Sequence, residues 1–126
     1  MPVLAILRHD EVVRLDPDPL AALYSELGEN GAERIVCRAI EELASRLTEM
    51  SRHADQSSHA ALIRSGRTLS KVAEQIGMAT LARVAQDVID ATEAGDHAGQ
   101  AATLARLVRI GDRSLTAVWD LRDMTV

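Results

Sequence analysis

Four stretches of this chain repeat apolar residues at intervals of three and four, and only short connections separate them. That spacing puts the apolar side chains on one side of a helix turning about 100° per residue, so the chain is committed to amphipathic helices. Ile35, Val36, Ala39, Ile40, Leu43, Leu47 and Met50 form the first stripe, on a long helix reaching about Arg52. Leu62, Leu69, Val72, Ala73 and Ile76 form the second, which stops at Gly77. Leu81, Val84, Ala85, Val88 and Ile89 form the third, which stops at Gly95, with Asp96 placed to cap the last helix. Glycine ends helices because it accepts the left-handed backbone at low cost. Aspartate begins them by accepting hydrogen bonds from the first free amides.

The fourth stretch carries two stripes. One is Ala101, Leu104, Val108, Gly111, Leu115 and Val118; the other is Leu107, Ile110, Ala117, Leu121 and Met124. Gly111 lies in mid-helix, where glycine costs about 1 kcal/mol relative to alanine, and this points to the close approach of another helix. A surface this wide exceeds what one helix of a four-helix core needs. Either the N-terminal arm covers the excess, or Leu107, Ile110, Leu121 and Met124 form a homodimer face with Trp119 as an anchor.

Upstream, Asp16-Pro17 reads as a helix start, and a short helix runs to Gly28. Asn30 and Glu33 have capping-box spacing. Residues 1–15 form an N-terminal arm of unassigned structure, and 16–126 one domain. Short connections make successive helices antiparallel neighbours. The expected fold is all-α, an antiparallel up-down four-helix bundle with a short preceding helix and the arm.

Composition agrees. Aromatics make up 2% of the 126 residues, with no Phe, so the core must be built of aliphatic residues that suit packed helices. A net charge of −5 argues against nucleic acid, which selects basic surfaces, and against anionic membranes. The single cysteine, Cys37, permits no internal disulfide and fits a reducing compartment. Val3–Leu7 is too short for a signal-peptide core or a membrane span, so a cytoplasmic location is expected.

Residues 67–77, RTLSKVAEQIG, carry a resemblance. With the following LARVAQDVIDATEAGD and the lead-in LDPDPLAALYSELG, they resemble the histidine phosphotransfer (HPt) domain family over about residues 15–120. The matches are Leu69, Ala73, Ile76 and Gly77, then the next helix in register to AGD at 94–96. Asp90 departs from the family's glutamate. The resemblance implies a four-helix bundle that relays phosphoryl groups between receiver domains. The chemistry is what departs. The phosphorylatable histidine falls on Arg67, the lysine three residues on at Ser70, and the glycine four residues on at Lys71. Arginine stays protonated and is no phosphoryl acceptor at neutral pH. The resemblance therefore implies a degenerate member with the scaffold kept and the transfer lost.

Spacing alone places Arg64, Arg67, Ser70, Lys71 and Glu74 on one exposed helix face, because Leu69 points inward and Arg67 lies roughly 160° from it. This face is either a plain solvated surface or a docking surface for the acidic pocket of a receiver or for a histidine kinase. His59, eight residues before Arg67, is the alternative acceptor. A homodimeric adaptor outside phosphorelay is the third reading.

No cofactor or metal is expected. His53, Asp55 and His59 are loosely spaced in what reads as a loop, and Ser57 and Ser58 read as helix caps. No nucleophile elbow, P-loop or carboxylate pair appears, so the chain is not read as an enzyme.

Overall fold

A computed structural model describes the backbone of residues 13–125 and the side chains of residues 13–117. The described residues hold four helices and no strand: α1 (Pro17–Asp55), α2 (His59–Gln75), α3 (Ala79–Glu93) and α4 (His97–Thr125). They pack in the order α1 on α2, α2 on α3 and α3 on α4, and a smaller contact between α1 and α4 closes the set.

The chain enters through an extended segment, 13–16, laid against the turn between α2 and α3. Arg14 N donates to Thr80 Oγ1 at 2.6 Å, and Asp16 N donates to the Gly77 carbonyl at 2.7 Å. Asp16 then opens α1, its carboxylate accepting from Asp18 N, with Pro17 in the first turn as the sequence indicates. The expected stop at Gly28 is a break inside α1, where the backbone leaves helical values at φ 73° and ψ 177°. A side chain would strain that conformation, which glycine takes freely.

One correction falls at the other end of α1. The helix continues to Asp55, so His53 and Asp55 are helical rather than in a loop. The connections to α2, α3 and α4 then use one device. Gly77 (φ 81°) and Gly95 (φ 71°) are left-handed, and the amides after them reach back to Ala73 and Ala91. Ser57 (φ 54°) holds the same place after α1, with Ser58 N donating to the His53 carbonyl at 2.8 Å. This is the Schellman closure, with serine where glycine is usual. Ser57 therefore ends α1 instead of capping α2, and Ser58, at the N-cap position, makes no side-chain capping bond. Asp96 caps α4 as anticipated, accepting from Gly99 N at 2.9 Å.

Val36, Leu43, Met50, Leu62, Leu69, Ile76, Met78, Leu81, Val84, Val88, Leu107 and Ile110 are fully buried and form the core, which Leu20, slightly exposed, joins. Each contributes about 1.5–3 kcal/mol by leaving water. Gly111 meets α1 as its mid-helix position suggested, for a Cβ there would stand 2.7 Å from Leu47 Cδ1.

The same burial corrects the expected dimer face. Leu107 and Ile110 are 0% exposed and face the core, so neither is open to a second copy. The two stripes on α4 serve two neighbours, Leu107 and Ile110 in the core and Gly111 against α1. Val108, at 40%, is the large apolar residue this helix leaves exposed among its described side chains. Leu121, Met124 and Trp119 lie outside the described side chains.

Candidate functional site

The outer face of α2 carries the residues the sequence singled out. Leu62, Leu69 and Ala73 turn inward, which leaves Arg64, Arg67, Lys71 and Glu74 exposed. Ser70 departs from this set. It is half-buried and its hydroxyl donates to the Ala82 carbonyl at 3.2 Å, so it fastens α2 to α3.

Arg67 stands free of the core, its side chain 63% exposed. Its guanidinium comes within 3.9 Å of Glu93, itself 51% exposed. An ion pair so open to solvent is worth between nothing and about 1 kcal/mol, so Arg67 can leave it at small cost. Arg64 and Lys71 flank it one turn away on either side. The local surface is basic on a chain of net charge −5.

His59 sits elsewhere. It is the first residue of α2, and its ring lies 5.9 Å from that of His97, the first residue of α4. Eight residues of helix place it about 12 Å along the axis from Arg67. His53 belongs to α1, so the sequence triplet His53, Asp55 and His59 is divided between two helices. Among the described residues no three potential metal ligands come together.

The seam between α1 and α2 holds a cluster that sequence reasoning missed. Arg46, Glu49 and His53 line it from α1, and Ala61, Arg64, Ser65 and Thr68 from α2, around an open cleft of about 290 Å³. Arg46 donates to Glu49 Oε2 at 2.7 Å and to Glu42 at 3.2 Å, and Ser65 donates to the same Glu49 oxygen at 3.2 Å. The hydrogen bond from Arg46 holds the Glu49 carboxyl below its ordinary range, against the opposing effect of burial. The two carboxylates hold Arg46 more firmly protonated. Among the described residues, Arg46 Nε and His53 Nδ1 are buried in this seam without a hydrogen-bond partner. A buried polar atom left unpaired costs about 1–3 kcal/mol. The sequence does carry a signal for this cluster, because 46, 49 and 53 share one helix face with 61, 64, 65 and 68 opposite. It becomes visible only once α1 is known to run past Arg52.

No family model, no curated protein and no solved structure matches this chain. Among the described residues, no helix is long and apolar enough to cross a membrane.

Proposed function

We propose that this chain is a non-catalytic, HPt-like binding module of phosphorelay signalling in the cytoplasm. It docks a receiver domain through the face made by Arg64, Arg67, Lys71 and Glu74, and accepts no phosphoryl group. The observation that carries this is Arg67, which falls on the histidine position of the motif that the chain resembles, is 63% exposed in the middle of α2, and among the described residues is held by a 3.9 Å approach to Glu93. A guanidinium presented in this way can enter an acidic receiver pocket and pair with a carboxylate through its two-pronged donor geometry. It cannot take up phosphate, because it offers no free lone pair at neutral pH. The up-down topology belongs to the same proposal. Each connection spans three residues, 56–58, 76–78 and 94–96, too short for a crossover.

The test mixes the purified chain with phosphorylated receiver domains from its source cell and looks for acid-labile phosphate on it. None is expected, and His59→Ala should change nothing. The variant Arg67→His, Lys71→Gly should gain the label, since it returns a phosphoryl acceptor to the exposed face and leaves the Ser70 bond to α3 in place. Label on the unaltered chain that disappears in His59→Ala would contradict the proposal and make His59 the acceptor.

A further inference from the structure

The α1–α2 seam contains chemistry that a docking face on α2 leaves unused. Its lining sets two guanidinium groups, Arg46 and Arg64, against the single carboxylate of Glu49, with the ring of His53 beside them. That carboxylate is already engaged, one oxygen accepting from both Arg46 and Ser65. Glu42 offsets Arg46 from outside the cleft, and Arg52 stands near enough to Glu49 to favour its ionised form. A cation would meet a carboxylate already paired with Arg46 and several positive groups, whereas an anion would meet groups that lack a partner among the described residues. Arg64 takes part in none of the ion pairs among the described residues. His53 Nδ1 is buried and has no hydrogen-bond partner among the described residues.

Size and rigidity also fit a small anion. A cleft of about 290 Å³ holds several waters, each with a share of about 30 Å³ in the liquid, and a tetrahedral oxyanion replaces a few of them. The chain of bonds from Glu42 through Arg46 and Glu49 to Ser65 crosses from α1 to α2 and fixes the floor before any ligand arrives. Such preorganisation lowers the ordering cost of binding. Buried polar atoms without partners commonly mark places where a water or an ion belongs.

We propose that this cleft is a binding site for a phosphate-type oxyanion, taken by Arg64 and His53 from opposite helices over the Arg46–Glu49–Ser65 floor. Arginine suits the ligand because its fork matches two phosphate oxygens at once. The ligand is either free phosphate or a phosphorylated side chain. Arg64 also belongs to the proposed docking face, but no receiver enters the following experiment, so the two proposals fail separately.

The isotope-labelled full chain is titrated at constant ionic strength with inorganic phosphate, with a phosphoserine peptide, with the same peptide unphosphorylated, and with chloride, while backbone amide shifts are followed by NMR. Saturable shifts confined to residues 46–53 and 61–68 are expected with phosphate or the phosphopeptide, and none with the other two. Arg64→Lys and His53→Ala should each weaken binding by about tenfold, the loss of one good charge-assisted contact. Arg83→Ala, which removes an equal charge from the exposed surface of α3, should leave it unchanged. Tighter binding of the phosphopeptide assigns the site to a phosphorylated partner, and equal or weaker binding to the free ion. Shifts that do not saturate, that spread over the whole chain, or that persist at full strength in both cleft variants would overturn the proposal.

Discussion

Ser57 occupies a left-handed position that glycine occupies at the two corresponding turns. An L-residue bears a cost of about 1–2 kcal/mol there, because its Cβ crowds the following carbonyl. Ser57→Gly should therefore raise stability by about 0.5–1 kcal/mol, the larger freedom of glycine in the unfolded chain taking back part of the gain. Thermal unfolding followed by circular dichroism measures it, and an unchanged or lower Tm would contradict the account. Gly77→Ala should act in the opposite sense and more strongly. It combines a positive φ with a Cβ driven into the carbonyl oxygen of Asp16, so the entry segment must detach or the turn must shift. A loss of at least about 2 kcal/mol is expected in denaturant unfolding. The two glycine turns were legible in the sequence because glycine announces a left-handed position. Ser57 was not, since serine is the commoner signal of a helix start, and nothing local says which helix it serves.

At the level of the element, each seam between consecutive helices carries a side-chain hydrogen bond. Ser65 binds Glu49 between α1 and α2, Ser70 binds the Ala82 carbonyl between α2 and α3, and Gln100 binds Thr92 at 3.0 Å between α3 and α4. The first of these depends on pH. Glu49 is held below its usual value of about 4.5 by Arg46, so folding favours its ionised form. Its contribution is complete above that value and disappears as pH falls through the lowered one. Glu49→Gln should therefore flatten the acid limb of the stability curve below about pH 4.5, and added salt should shrink the difference between the two proteins. Parallel acid limbs for the two proteins would contradict this. Helix existence and inward faces were legible because the apolar period is long and regular. The length of α1 was not, because His53 to Ser58 is polar apart from Ala54, and polarity does not distinguish a solvated last turn from a loop. Leu107 and Ile110 were misassigned because a stripe on a helix does not say which neighbour covers it.

Over the whole molecule, the arrangement is a helical scaffold whose exposed chemistry is arginine where the HPt resemblance implies histidine. Scaffold and surface separate because they use different residues: Leu69, Ala73, Ile76 and Gly77 build the core and the turn, while Arg67 and Lys71 stand on the exposed face. Fold alone does not assign the activity. The exposed face of α2, proposed above as a docking surface, was largely legible in the sequence, since helical spacing alone gathers Arg64, Arg67, Lys71 and Glu74. The inward bond of Ser70 was not, because it depends on where α3 lies. The central claim is that Arg67 carries recognition of a receiver. Its most direct measurement is the affinity of purified receiver domains for the unaltered chain and for Arg67→Glu, titrated by calorimetry at two salt concentrations. The account predicts that at least one receiver binds the unaltered chain, that binding weakens as salt rises, and that Arg67→Glu loses it by about tenfold or more. Equal affinity for the two proteins, or no binding by any receiver, would contradict it and leave the basic face of α2 as solvated surface.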